Sequence, residues 1–305
     1  MGDVKRMELL KSIAEIRTPF LDTLIGLITR FGEETIGIVI LCVFFWCISK
    51  KVAYVIGVSF FLSSLSVQGM KILFRIPRPW VLDPAFVPVS GAIEHATGYS
   101  FPSGHTQNAT ALYGSLGAMA PQKPLKIILF IIPFLVAFSR LYLGVHTLLD
   151  VVVSLVVTFL LIFLAVKIFS TDSIHIKREA AVASVIIIFA VVVIVIAAVL
   201  YANGTIEEGY IADCLKAAGA GIGFAVGMFV ERVYISFSVK AKGILWQIIK
   251  FVIGIAVVLA LQEGLKYVIG TSLIANMVRY FLMITWITLF FPLIIKRFFA
   301  VEEKG

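Results

Sequence analysis

Charge is what this 305-residue chain has least of: Asp, Glu, Lys and Arg make up 14% of it, where a soluble globule carries about 25%. So few charged side chains cannot cover a water-facing surface, which excludes an ordinary soluble domain. With 60% of residues hydrophobic, the solvent for most of the chain is lipid. Cysteine is scarce as well. Cys42, Cys47 and Cys214 lie in apolar stretches with neither metal-ligand spacing nor a disulfide framework, and read as small buried hydrophobes. No bound metal and no cofactor is expected. Met1 to Arg17 has no apolar centre of the kind a cleavable signal peptide needs, so the first spanning helix is expected to act as the insertion signal. Runs such as 181–202 lack the alternation of barrel strands. Low-complexity segments and internal repeats are also missing.

In lipid every backbone polar group must be satisfied internally, so helices are the default. The fold class that follows is all-α: a multi-pass transmembrane helical bundle of about nine spans, preceded by an N-terminal interfacial amphipathic helix. Three regions are expected: 1–33 as the amphipathic segment, 34–172 as a core, and 173–305 as an added four-helix transmembrane extension. In the first, Lys11, Glu15, Arg17, Asp22 and Arg30 interrupt apolar positions at helical spacing, and Thr18-Pro19 breaks the run. In the core, spans are predicted at 35–49, 52–73, 104–120, 125–139 and 146–169, with a Pro-, Gly- and aromatic-rich loop at 74–101. The extension is predicted to cross at 180–201, 212–232, 245–264 and 273–295.

The net charge of +8 does not call for nucleic acid in such a chain. Lys50-Lys51, Lys123 with Lys126, Lys177-Arg178, Lys240 with Lys242, and Lys296-Arg297 fall on one side if the spans alternate, which makes that side cytoplasmic. Gly219, Gly223 and Gly227 recur every fourth residue, a spacing that lets helices approach closely, either between two copies in a homodimer or within one chain. Trp80, Phe101 and Tyr142 are expected either in an aromatic interfacial belt, the favoured reading, or lining the lipid approach.

Chemistry-bearing residues concentrate in 71–150, in three clusters: Lys71-x6-Arg78-Pro79, Pro102-Ser103-Gly104-His105, and Ser139-Arg140-x5-His146-x3-Asp150. All three fall on the side opposite the basic loops, so the site is expected to face outward. His146 and Asp150, four apart at a helix start, share a face. A carboxylate there takes the proton of one ring nitrogen and leaves the other free to attack, although the pair could also serve only as a helix-end contact. His105 opens a helix behind Gly104, where backbone N–H groups point at an anion and Ser103 adds a hydroxyl, or simply caps the helix. Lys71, Arg78 and Arg140 supply fixed positive charge, or snorkel as membrane-edge cations do; Arg75 is read as the snorkelling one. Of the other histidines, His175 reads as an ordinary loop residue and His95 as a loop residue near the site.

The three clusters, matched at every motif position, resemble the type 2 phosphatidic acid phosphatase family, which is related to vanadium haloperoxidases and glucose-6-phosphatase. The resemblance covers about residues 19–170. It implies a phosphohistidine on His146 oriented by Asp150, His105 as general acid, and phosphate held by Lys71, Arg78, Ser103, Gly104 and Arg140, without a metal. It further implies a membrane lipid phosphate as substrate: phosphatidic acid, phosphatidylglycerol phosphate, undecaprenyl diphosphate or a sphingoid phosphate. The family's usual six core spans compare with five here plus the interfacial segment, so either the first span is missing or 9–31 replace it. Alternative readings are a lipid phospho- or head-group transferase, a haloperoxidase holding vanadate in the same pocket, a non-enzymatic lipid transporter or scramblase, and a phosphatase acting on a soluble sugar phosphate.

Overall fold

Proline and hydroxyl residues punctuate the apolar runs, and in the computed structural model the helices begin where they stand. The structure describes residues 2–94, 96–171 and 173–299, with side chains from Met7 onward. His95 lies outside the described residues. After α1 (Gly2–Ala14), Thr18 caps α2 (Pro19–Arg30) by accepting from Leu21 N at 3.3 Å, with Pro19 in the first turn where no N–H is needed. α3 (Glu34–Val43) runs through a π turn at Phe44–Ile48, and Ser49 then caps α4 (Lys50–Phe74). The short α5 (Pro79–Leu82) sits in the long loop. α6 (Gly104–Ala109), a π turn at Thr110–Gly114, and α7 (Ser115–Met119) form one helical run. α8 (Lys123–Tyr142) and α9 (Leu148–Ile168) complete the core. The extension holds α10 (Ile176–Ala202), α11 (Glu208–Val230), α12 (Ile244–Ile269), α13 (Leu273–Thr285) and α14 (Phe291–Ile294), with further π turns after α11, α13 and α14.

The molecule is all-helical, with no strand among the described residues. Among the described residues seven helices are long and apolar enough to cross a bilayer, and eight if α2 and α3, bent by 45°, count as one crossing. The expectation of about nine spans is roughly met, and the run at 104–119 is not among the seven. The bent α2–α3 pair stands where the sequence left open whether a first core span exists. At ~1.5 Å per residue, the 27 residues of α10 reach about 40 Å, enough for a ~30 Å hydrocarbon layer. Large apolar side chains on the outer faces, such as Val156, Phe163, Ile188 and Val195, are exposed and face lipid.

One continuous core joins the phosphatase-like segment to the extension, from Phe45 and Leu65 through Ile186 to Phe224, Ile287 and Phe291. At the end that carries the basic loops, ion pairs to buried carboxylates fasten the π turn after α11 to α4 and α10: Lys50 to Glu231 at 2.9 Å and Arg232 to Glu179 at 2.8 Å. Arg232 also lies over the rings of Tyr54 and Phe169. Buried carboxylates in lipid need such partners.

Gly219, Gly223 and Gly227 face α13 of the same chain. A Cβ would stand 2.2 Å from the Met277 carbonyl oxygen at Gly219, 2.7 Å from that of Phe281 at Gly223, and 1.8 Å from Thr288 Oγ1 at Gly227. Of the two packings the spacing allowed, the one within the chain is realised, and this face is spent there. The aromatic belt needs correction too. Tyr142 and Phe101 are buried, because their rings fill the interior beside the long loop instead of the water–lipid boundary.

Gly219→Ala must push α11 and α13 apart and should cost about 1–3 kcal/mol, read as a lower unfolding midpoint in detergent. Gly26→Ala, where an added Cβ meets nothing within 4 Å, should leave the midpoint unchanged or slightly higher. Equal behaviour of the two would contradict the packing described.

Candidate active site

Four helix ends and one irregular loop converge at the end of the bundle opposite the basic connections. The helices are the C-termini of α4 and α8 and the N-termini of α6 and α9, with the chain between Arg75 and Ser103 laid over them. An irregular segment at this depth must find partners for its carbonyls. Arg78 supplies them. Its Nε donates to Gly98 O at 2.9 Å, Nη2 to Thr97 O at 2.6 Å and Nη1 to Val145 O at 2.9 Å. Nη1 also stands 2.9 Å from His146 Nε2. Arg78 is 6% exposed, and a buried guanidinium is tolerable only when its donors are used in this way.

His146 sits on the turn between α8 and α9, which Gly144 makes possible with φ +76°. Its Nδ1 faces Asp150 Oδ2 at 3.4 Å, and its Nε2 faces the Arg78 donor. The neighbours therefore assign the tautomer: the proton belongs on Nδ1, towards the carboxylate, and the lone pair is on Nε2. Burial first, and then the Arg78 guanidinium, push the imidazole down to about 3 against the pull of Asp150. These surroundings favour the neutral ring, with a lone pair on Nε2, over the imidazolium.

Asp150 is in the first turn of α9 and is held from several sides. Oδ2 accepts from Ser100 Oγ at 2.5 Å and from the Thr147 backbone N–H at 2.7 Å, the latter in the manner of a capping box. Its backbone carbonyl accepts from Ser103 N at 3.1 Å, and Ser154 Oγ donates to Ser103 O at 2.9 Å. These bonds stitch the start of α6 to the start of α9.

Ser103 caps α6, accepting from Thr106 N and Thr106 Oγ1, which leaves its hydroxyl hydrogen free to donate. A Cβ added at Gly104 would meet nothing within 4 Å, so the space in front of this helix start is open. Arg140 is 2% exposed, donates from Nη1 to Thr29 Oγ1 at 2.8 Å, and keeps a buried Nε–H without a partner. His105 lies within electrostatic range of Arg140, His146, Lys71 and Arg78. The Lys71 ammonium lies 3.7 Å from where a Cβ on Gly98 would stand. All eight residues singled out from the sequence are thus brought to one place: His105, His146 and Asp150, with Lys71, Arg78, Ser103, Gly104 and Arg140.

Several further residues belong to this place and carried no motif signal. Ser100 and Thr147 hold Asp150, and Thr29 of α2 holds Arg140. From the extension, Tyr210 stacks on Tyr99 with centroids 4.1 Å apart, and Asp213 lies within electrostatic range of Lys71. The N-terminal helices are tied in as well. Tyr142 donates to Asp22 at 2.8 Å, and Arg17 donates to the carbonyls of Tyr142 and Val87. The only sequence hints were indirect: polar residues in apolar surroundings, such as Asp22 and Asp213.

Comparison with known proteins finds matches over both parts of the chain. The family described as PAP2 superfamily matches residues 51–174, and the one described as PAP2 superfamily phosphatase, transmembrane extension, matches 215–303. The chain is 30% identical over 174 residues to an undecaprenyl-diphosphatase of Sulfolobus acidocaldarius, covering 55% of this chain and 80% of that one. It is 26% identical over 174 residues to phosphatidylglycerophosphatase B of Bacillus subtilis, covering 50% and 78%. Among solved structures, a transmembrane PAP2 type phosphatidylglycerolphosphate phosphatase from Bacillus subtilis superposes with a TM-score of 0.47 at 26% identity, over 56% of this chain and 87% of that one. Aquifex aeolicus LpxE superposes with a TM-score of 0.48 at 26% identity, over 53% and 94%.

With labelled histidine, the NMR signal lost in His146→Gln should show no protonation between about pH 4.5 and 8, because burial disfavours the imidazolium. A midpoint near the ordinary ~6.5 would contradict the environment described for this ring.

Proposed function

Because the chain belongs to the PAP2 superfamily of membrane lipid phosphatases, we propose that it hydrolyses a lipid phosphomonoester or diphosphate through a phosphohistidine on His146. The observation that carries this reading is the position of the His146 ring, with Nδ1 towards Asp150 and Nε2 beside an arginine donor. An oxyanion entering at the start of α6 would take over that donor and release the Nε2 lone pair towards phosphorus. Lys71, Arg78, Arg140, Ser103 and the N–H groups behind Gly104 would hold the oxygens that gain charge in the transition state.

In the first step a bond forms between Nε2 and phosphorus, the bond from phosphorus to the lipid oxygen breaks, and His105 gives that oxygen its proton. The charge of the bound phosphate favours the imidazolium that His105 needs for this. Asp150 stabilises the charge that develops on the His146 ring. In the second step water attacks phosphorus, His105 takes its proton, and the bond to Nε2 breaks, which restores both histidines and frees phosphate. The names of the relatives, one acting on phosphatidylglycerophosphate and one on undecaprenyl diphosphate, put both substrate types forward. Three fixed cations around the oxyanion supply the charge that a metal would otherwise provide, so the reaction is read as metal-independent.

The connections rich in Lys and Arg lie at the end away from the site, which supports a cytoplasmic face there and an outward-facing pocket in the cell membrane.

His146→Ala should lower turnover by more than a hundredfold, with no acid-labile phosphoenzyme trapped from radiolabelled substrate, while wild type keeps its rate in excess EDTA. A residual rate above about a hundredth of wild type would sink the nucleophile assignment, and a loss that magnesium restores would sink the metal-free one. For the topology, Val87→Cys should be modified by a membrane-impermeant maleimide on intact cells, since Val87 is exposed at the site end. Modification only after permeabilisation would mean that the site faces the cytoplasm.

A further inference from the structure

Away from the catalytic histidines, α11, α12 and α13 enclose a cavity of about 230 Å³ at the same end of the bundle. That is far more than the ~15 Å³ a single water needs. Its walls are polar: Lys216, Gln262, Lys266, Asn276, Arg279 and Tyr280. Lys216 pairs with Asp213 at 2.9 Å and Lys266 with Glu263 at 2.7 Å, each one turn away on its own helix. Arg279 has no such partner. It is 8% exposed, its Nη1 is buried without a hydrogen bond, and no carboxylate among the described residues pairs with it. A buried guanidinium in that state is costly unless an anion joins it.

A second, smaller cavity adjoins the first and shares Gln262, Tyr280 and Met283 with it. Apart from Glu34 and Thr35, its other walls are apolar: Ile38 and Val39 of α3, and Ile255, Val258 and Leu259 of α12. Glu34 is the remaining carboxylate nearby, within electrostatic range of Lys216 and Asp213. A cationic chamber opening into a lipid-facing apolar groove is complementary to one kind of molecule.

We propose that the extension carries a second binding site for an anionic phospholipid, with its phosphate on Arg279, Lys216 and Lys266 and a hydrocarbon chain in the groove between α3 and α12. The lysines keep donors free beyond their ion pairs, and Tyr280 and Asn276 add further polar groups around the oxyanion. This site adjoins the catalytic pocket through α11: Asp213, which holds Lys216, also lies in range of Lys71. It does not depend on the catalytic assignments above.

The test counts bound lipid on the full chain in detergent by native mass spectrometry, using a non-hydrolysable phosphonate analogue of phosphatidic acid, with inorganic phosphate in a parallel arm. Wild type should bind one more phosphonate lipid per chain than Arg279→Gln, whose affinity for that lipid should fall at least tenfold. Arg279→Lys, which keeps the charge, should retain it. Turnover of a water-soluble aryl phosphate should stay within twofold in Arg279→Gln, which reports that fold and catalytic pocket are intact. Should Arg279→Gln fail to fold, Leu259→Trp fills the groove without touching a charge and should lose the same lipid. Equal lipid counts in wild type and in a folded variant would overturn the proposal. So would inorganic phosphate displacing the lipid at equal concentration, which would make the occupant the free ion.

Discussion

The arrangement rests on one buried guanidinium. Arg78 lies between Pro77 and Pro79, so its backbone is confined to extended geometry, and its side chain reaches inward. There it accepts no compromise in partners: three carbonyls from two separate stretches of chain and one imidazole nitrogen share its donors. The loop at 97–98 and the turn at 145–146 are far apart in sequence. They are held together because each offers carbonyls that neither water nor a helix can satisfy at that depth. Removing the cation would leave those carbonyls unpartnered and the Nε2 side of the His146 ring without its neighbour. The same group that anchors the loop therefore also fixes the surroundings of His146 Nε2.

The second constraint is the meeting of two helix starts. α6 and α9 both point their N-termini at the pocket, and the bonds among Ser103, Asp150 and Ser154 lock the two ends in register. Each end contributes unpaired N–H groups and the positive pole of its dipole. Asp150 is the one carboxylate among the motif residues in this positive surround, and its use by Ser100 and Thr147 keeps it from collapsing onto a cation. Positive charge from the motif residues thus faces the open space in front of Gly104, while Asp150 is confined behind the histidine.

What the sequence made readable was the local part of this design. Span positions follow from uninterrupted apolar runs, and the eight motif residues follow from chemistry at fixed spacing on helix ends. Readings that depended on which neighbour a face meets were beyond it. The spacing of Gly219, Gly223 and Gly227 states that something approaches closely, but only the course of α13 says what. Tyr142 has the composition of a boundary residue, yet Asp22 and Arg17 draw it inside. Thr29, Ser100 and Tyr210 act through partners more than thirty residues away, and no local pattern marks such contacts. The bend between α2 and α3 comes from the short Phe31-Gly32-Glu33 connection, where a Cβ on Gly32 would strike the His105 carbonyl at 2.7 Å. A polar break in sequence thus became a packed turn against the site.

The extension is therefore part of the site's architecture. α11 is fixed at one end by the Lys50–Glu231 and Glu179–Arg232 pairs and at the other by the Tyr99–Tyr210 stack. Between these points its glycine face is pressed against α13 and its opposite side enters the common core. The two stretches that match family descriptions end at 174 and resume at 215, and Tyr210 and Asp213 lie in the gap between them. Those two residues stand beside the loop that Arg78 holds and beside Lys71. The motif residues set what chemistry is available, whereas α11 adds Tyr210 and Asp213 beside them. A helix clamped at both ends and packed along its length holds Tyr210 against Tyr99 and next to Gly98, whose carbonyl the Arg78 guanidinium engages.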